Sequence, residues 1–282
     1  MKLKNLNAEW FFPDGASEKI ALERTTHLAI SAHQDDIEIM AYDGILKCFG
    51  SNEKWFGAVV VTNGAGSARN GLYAEYSDED MQKIRKIEQK KAAYVGDYSA
   101  LALLDYSSAQ VKSPEGSNII EELKEIIKEA RPEIIYTHNL ADKHDTHLGV
   151  VIKVIAAIRE LPMNLRPIKL YGCEVWRNLD WVMDEQKVVF DVSAHPNLSA
   201  ALVGVFDSQI AGGKRYDLAT TGRRLANATY AASHTVDNSD ALSYAIDLTP
   251  LIEDTQLSIV EYIKGYIAKF EEDVTQKLSK LL

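Results

Sequence analysis

His27-Leu28-Ala29-Ile30-Ser31-Ala32-His33-Gln34-Asp35-Asp36-Ile37-Glu38 is the stretch on which the reading of this chain turns. Leu28, Ala29 and Ile30 read as a short buried strand. His33, Asp35, Asp36 and Glu38 then fall in the loop and first helical turn after it, which in an open α/β sheet is the carboxyl edge where ligands gather. An apolar strand therefore delivers metal-binding and proton-moving side chains directly to a functional edge.

Working outward, Ile39, Met40, Ile45, Leu46 and Phe49 predict a helix over 37–49 packed on the sheet. Trp55–Thr62 is nearly all apolar, as in a strand covered on both faces. Asn63–Gly71 reads as a loop, Ser77 or Asp78 as the cap of a helix over 79–95, Ala100–Leu104 as a strand, Ser117–Ala130 as a helix and Pro132–Thr137 as the next strand. Strands alternating with helices at this spacing imply right-handed crossovers and a mostly parallel α/β sheet. Residues 1–25 read as a packed N-terminal arm.

The last of these strands runs into Thr137-His138-Asn139-Leu140-Ala141-Asp142-Lys143-His144-Asp145-Thr146-His147, with a helix expected from about His147 to Arg159 and Asp145 or Thr146 as its cap. His144 and His147 then sit together on the edge that carries His33 and Asp36. Beyond Pro167 the pattern weakens. Strands are expected over 168–176, 187–192 and 244–248, helices over 198–210 and 217–232, and a long closing helix with Val260, Ile263, Ile267, Phe270, Val274, Leu278 and Leu281 near heptad spacing. That seam either docks on the chain's own core or forms a subunit contact, as in a homo-oligomer. With no repeat or low-complexity linker, residues 1–282 read as one domain, its core about 26–195 and a C-terminal helical and strand extension about 196–282.

The length and the 46% hydrophobic content allow one sizeable core. The net charge of −10 argues against a nucleic-acid backbone or an anionic membrane surface as partner and favours a small molecule. Cys48 and Cys173 read as buried thiols, and too few cysteines are present for a zinc ribbon. The N-terminal residues contain no apolar signal region and no later run approaches membrane-spanning length, so the expectation is a cytoplasmic protein.

A catalytic zinc or similar divalent ion takes about three nitrogen and oxygen ligands and leaves a position for water. His33, Asp36 and His147 supply two imidazoles and a carboxylate. If Asp36 faces the metal, Asp35 faces its water as general base; in the alternative, one of the two aspartates caps the following helix. Glu38 reads as support behind the ligands.

These residues carry a resemblance. His33-Gln34-Asp35-Asp36-Ile37-Glu38 resembles the His-Pro-Asp-Asp-x-Glu motif of the PIG-L, or LmbE-like, family of metal-dependent de-N-acetylases of N-acetylglucosaminyl conjugates, and Asp142-x-His144-x-x-His147 resembles its Asp-x-His-Pro-Asp-His motif. The similarity extends to Gly213–Asp217 and Gly222–Ala228. It implies a Rossmann-like three-layer fold, one zinc or other divalent transition metal per chain on His33, Asp36 and His147, Asp35 as general base, and His144 stabilising the oxyanion and protonating the leaving amine. Gln34 departs from the motif's proline, which loosens a rigid turn. Thr146 stands where a carboxylate is expected, so Asp142 or Asp145 is left to orient His144.

Arg69 in the Asn63–Gly71 loop, which lacks the ending of a P-loop, reads as a clamp for a substrate hydroxyl, carboxylate or phosphate, as family members use an arginine there, or else as a solvated side chain. Trp176 and Trp181 offer faces for a sugar, with core packing the alternative for at least one; Arg69, Asp142 and Trp176 form the expected substrate-binding set. Arg215, Arg223 and Arg224 read as helix-surface or interface charges. The resulting expectation is a hydrolase that removes an acetyl or similar acyl group from an amino sugar or related amide. The alternatives are a metal-dependent hydrolase of another bond, such as a phosphoester, and a non-catalytic Rossmann-like binding protein.

Overall fold

The computed structural model describes residues 1–282. Its strands are β1 (Glu9–Phe11), β2 (His27–Ser31), β3 (Phe56–Thr62), β4 (Ala100–Tyr106), β5 (Ile134–His138), β6 (Lys169–Cys173), β7 (Val188–Asp191) and β8 (Leu242–Asp247). They form an eight-stranded sheet in the order β1-β4-β3-β2-β5-β6-β8-β7. The five central strands β4, β3, β2, β5 and β6 are mutually parallel, whereas β1 on one edge and β8 beside β6 run antiparallel to their neighbours. The α/β, mostly parallel reading is borne out.

The helices are α1 (Glu18–Glu23), α2 (Asp36–Met40), α3 (Tyr42–Cys48), α4 (Asp78–Val95), α5 (Ser108–Lys112), α6 (Ser117–Ala130), α7 (Asp145–Arg159), α8 (Pro196–Gly204), α9 (Asp207–Ile210), α10 (Tyr216–Thr229), α11 (Thr249–Glu253) and α12 (Ile259–Leu281). Alternation along the buried strands divides the apolar side chains between two layers. Leu28 and Ile30 face a core with Val59, Leu104, Ile135 and the inner sides of α6 and α7. Ala29, Val60, Leu103 and Tyr136 face Ile37, Met40, Ile45, Leu202 and Phe206. Strands buried on both faces lose the period-two polarity of half-exposed strands, which is why they read as continuous apolar runs.

The chain runs outward from β2 through β3 to β4 and then returns to the other side of β2 with β5, so the strand order reverses between β2 and β5. At such a reversal the connections leave to opposite faces, and a crevice opens outside the carboxyl ends of the two strands.

Several expectations are corrected. The helix over 37–49 is two helices, because Ala41 leaves the helical region at φ −112°, ψ 23°. The helix over 198–210 likewise divides into α8 and α9. The N-terminal arm contributes edge strand β1 and helix α1, and α5 and α11 are short elements without a periodic signature. Ser77 caps α4 in a reciprocal box with Asp80. Cys48 and Cys173 are buried free thiols, as expected. The seam on α12 is divided in its surroundings: Tyr262, Ile263 and Tyr266 pack on the core, while Ile267, Phe270, Val274, Leu278 and Leu281 are exposed. No helix is long and apolar enough to cross a membrane.

Candidate active site and metal centre

Both polar clusters meet at the crevice. β2 ends at Ser31, and the turn after it doubles back so that the His33 N–H donates to Asp36 Oδ2 at 2.8 Å. The same oxygen lies 3.2 Å from His33 Nδ1 and 3.3 Å from His147 Nε2, and those two nitrogens are 3.2 Å apart. Tetrahedral ligands about 2.0–2.1 Å from a divalent ion stand about 3.3–3.4 Å from one another, so this triangle has the spacing of a ligand set. Facing imidazole nitrogens at this distance need either a shared proton or a cation between them.

Two overlapping trios of potential ligands share His147: His33 with His144, and Asp36 with His138. His138, at the end of β5 and given no role in the sequence reading, is distinguished by its bonding. Its Nε2 accepts the Ala32 N–H at 2.8 Å, so its lone pair is engaged by the backbone. The ring stacks on His147 at 3.9 Å between centroids and holds it from behind. On the other side of His147, Asp142 Oδ2 lies 3.4 Å from Nδ1. A carboxylate behind a ligating imidazole fixes its orientation and raises its basicity. Burial alone would depress the His147 pKa, but Asp36 and Asp142 outweigh it and lift it to about 9. Burial likewise opposes ionisation of Asp36, yet His147, His33 and His138 hold its carboxyl well below the ordinary range.

Asp35 points away from this triangle. Its φ of 86° lies in the left-handed region that non-glycine residues seldom occupy, and this twist sends adjacent carboxylates in different directions. The capping alternative does not hold for Asp35: it stands at the N-cap of α2, but its side chain makes no capping bond and instead accepts from Arg85 Nη2 at 2.8 Å. Burial raises its pKa to about 6, against the opposing pull of Arg85. Arg85 is itself buried, donates to the Gln34 carbonyl, and pairs with Glu88 at 3.4 Å. The only sequence signal for Arg85 was an arginine in line with the inward face of α4, next to Glu88 and Gln89 on the same buried side.

Gln34, at the motif's proline position, is buried and donates to the Thr62 carbonyl at 3.0 Å, so a hydrogen bond to the end of β3 pins the turn. Gly64, at φ 76°, faces it closely; an added Cβ would come within 2.6 Å of Gln34 Oε1. Glu38 is a buried support: it accepts from Gln89 at 2.8 Å and Tyr98 at 2.7 Å, and burial raises its pKa to about 8.

The second cluster differs from expectation at the helix start. α7 begins at Asp145, and its cap is His144, whose Nδ1 accepts the Thr146 N–H at 3.3 Å; neither Asp145 nor Thr146 is the cap. In the neutral ring this bond puts the proton on Nε2. Burial, followed by the charges of His147 and His33, lowers the His144 pKa to about 4. Asp142 accepts the backbone N–H groups of His144 at 3.0 Å and Trp176 at 3.1 Å, so it sets the path of both segments.

The crevice opens into two lobes of about 450 and about 270 Å³ that share Asp35, Asp36, Trp176 and Tyr216. His33, His144 and Lys214 line the larger, and Glu174, Arg223 and Arg224 the smaller. Trp176 therefore stands in the cavity wall, and Trp181 packs against the core and Phe270. Arg69 is not brought in: it donates to the Ala65 carbonyl at 2.7 Å and pairs with Asp78 outside the lining.

Residues 28–158 match the PIG-L family model, described as GlcNAc-PI de-N-acetylase, so the resemblance read from the two motifs holds over the segment that carries them. No curated protein matches the sequence. Among solved structures, the N,N'-diacetylchitobiose deacetylase of Pyrococcus horikoshii superposes with a TM-score of 0.64 at 14% identity, covering 86% of this chain and 90% of that one. The 4-carboxy-2-hydroxymuconate hydratase GalB of Pseudomonas putida KT2440 gives 0.62 at 15%, covering 79% and 96%. The conserved protein TT1542 of Thermus thermophilus gives 0.60 at 16%, covering 83% and 99%. At these identities the likeness is one of fold.

Proposed function

We propose, for a chain whose residues 28–158 match the PIG-L de-N-acetylase family, that the crevice hydrolyses an acyl amide, removing acetyl or a similar group from an amino sugar or related small conjugate. The observation that supports this most is the pairing of a three-donor triangle, His33, Asp36 and His147 at 3.2–3.3 Å, with an adjacent carboxylate, Asp35, that is turned out of it and held by Arg85. Two nitrogens and one oxygen suit zinc or a similar divalent transition ion, which when bound polarises the amide carbonyl and lowers the pKa of a water toward ~7.

Asp35, ionised above about pH 6, accepts the proton of the attacking water. His144, neutral with its proton on Nε2, donates a hydrogen bond to the oxygen that becomes negative as the carbonyl carbon turns tetrahedral. This assigns His144 the oxyanion role and not the delivery of the proton, since giving up Nε2–H would leave an imidazolate. The proton held by Asp35 passes to the departing nitrogen, the C–N bond breaks, and the carboxylic acid so formed gives its proton to the released amine, leaving a carboxylate and an ammonium. Trp176 supplies an aromatic wall for a sugar face, and Asp142 positions His147, the His144 backbone and Trp176. Arg69 would need to leave Asp78 to reach a substrate.

A two-metal phosphoester site fits less well, because the candidate trios overlap in His147 and His138 is engaged by the backbone. The test is acetate release across N-acetylated amino sugars and conjugates by protein reconstituted with zinc. The expected result is about one metal per chain and turnover of at least one member. Less than about half an equivalent of tightly bound metal, or no release across the panel, would overturn the reading.

A further inference from the structure

Outside the lining, Arg69 pairs with Asp78 and Arg215 with Asp217. Lys112 and Lys214 in the larger lobe, and Lys143 and Arg223 in the smaller, have no salt-bridge partner within 4.0 Å. Of the lining carboxylates only Glu174 feels one of them, the charge of Arg223, which leaves the lysines unanswered. Asp35 is bound to Arg85, and Asp36 belongs to the metal triangle. Glu174 is turned into its own hydrogen bonds, accepting from Asn227 Nδ2 at 2.7 Å, the Leu179 N–H at 3.1 Å and the Tyr244 N–H at 3.2 Å.

A divalent ion in the triangle would add to the excess of positive charge. This local sign is opposite to that of the molecule, whose net charge is −10. Charge of one sign gathered in a cleft against the net charge of the chain marks the sign of the ligand.

The placement is specific as well as the sign. Lys214 Nζ lies 5.0 Å and Lys143 Nζ 5.9 Å from the centroid of the Trp176 ring, and Tyr216 meets that ring edge-on at 6.2 Å. A sugar ring laid on Trp176 would bring its substituents to both ammonium groups. Lys143 comes from the loop after β5 and Lys214 from the segment before α10, so the C-terminal extension and the motif-bearing core each contribute one.

Resting on the amide-hydrolysis reading of this site, we propose that its substrate carries an anionic group, a carboxylate or a phosphate, on the ring that stacks against Trp176, and that Lys143 and Lys214 select for that group. These lysines are specificity-determining residues and take no part in bond breaking.

The test compares zinc-reconstituted protein on N-acetylglucosamine, N-acetylglucosamine 6-phosphate and N-acetylmuramic acid, an uncharged, a phosphorylated and a carboxylated sugar, at low and at raised salt. Calorimetric binding of glucosamine and glucosamine 6-phosphate to the same protein provides a readout without turnover. The expected result is a kcat/KM at least about tenfold higher for one or both charged sugars, a ratio that shrinks with salt and collapses toward one in the Lys143→Gln/Lys214→Gln double variant. The phosphate and carboxylate arms identify which anion is taken. Equal or better use of the uncharged sugar, or a charge preference untouched in the double variant, overturns the proposal while leaving amide hydrolysis in place. No turnover, with lysine-dependent preference for glucosamine 6-phosphate in binding, upholds the anion site and overturns the amidase reading. Absence of both turnover and charge-selective binding overturns both.

Discussion

The segment from β2 to β6 and the segment after β7 contribute to the same cavity in different ways. The first delivers every proposed ligand, Asp35 and His144 from strand ends on one edge of a parallel sheet, through short turns whose polar atoms are bonded within a few residues. The second delivers walls: Gln209, Lys214, Tyr216, Arg223 and Arg224. It is joined to the first by buried polar contacts. Ser208 donates to Glu88 through both backbone and hydroxyl at 2.6 Å, Asn227 donates to Glu174 at 2.7 Å, and Arg224 reaches the Glu38 and Ile39 carbonyls at 2.9 and 3.0 Å. The proposed chemistry therefore resides in local motifs, while the shape and charge of the space around it come from long-range docking. The likeness in fold to both a deacetylase and a hydratase fits this division, because a shared scaffold leaves the reaction to its site.

The strongest way to break the comparison is within the first segment. Asp36→Ala and His147→Ala should empty the metal site, read by elemental analysis, and abolish turnover. Asp35→Ala should keep about one equivalent of metal and lose about 10²–10⁴ in kcat. An Asp35 variant that loses its metal would dissolve the distinction between ligand and base.

In the second segment, Arg224→Ala should cost about 2–4 kcal/mol in denaturant unfolding, because it strips the hydrogen-bond donor from the buried Glu38 carbonyl and the part-buried Ile39 carbonyl at the end of α2 and opens space against Tyr42. A loss under about 1 kcal/mol would mean that α10 is only loosely attached.

The link between the segments is tested by pH. The general base must be ionised, so kcat/KM should rise with pH through an ascending limb near the Asp35 pKa of about 6 and decline tenfold per unit below it. Arg85 lowers that pKa, so Arg85→Gln should move the limb upward. A limb that stays in place would remove Asp35 as its source. Trp176→Ala should raise KM about tenfold for a sugar substrate with kcat less affected, in line with a lost stacking face. The smallest effect is expected beyond the cavity: removing residues 271–282, which are almost wholly exposed, should shift unfolding by less than about 0.5 kcal/mol at dilute protein concentration.

Much of the first segment was legible in the sequence because its signals are local. Apolar runs, turn residues and helix spacing identified β2, β3, β4 and β5 and their parallel direction, and the choice of His33, Asp36 and His147 as candidate ligands rests on their positions after strands. The same reading overlooked β1, a three-residue edge strand with too few positions to show a period, and merged α2 with α3 because the break at Ala41 carries no glycine or proline. It took Arg224 for a surface or interface charge because arginine is usually exposed, yet here only 4% of the residue is accessible.

By itself, then, the sequence determined that a parallel α/β sheet carries two clusters of histidines and aspartates on one edge, since alternation and right-handed crossovers depend on neighbours in the chain. Tertiary structure alone decided that His138 is engaged by Ala32, that Arg69 turns to Asp78, that Asp35 is held by Arg85, and that two lysines flank Trp176. The physical reason is separation. Asp35 and Arg85 lie 50 positions apart, Ala32 and His138 106, and Glu38 and Arg224 186, and buried polar partners over such distances are chosen by the geometry of packed layers, which no local period records.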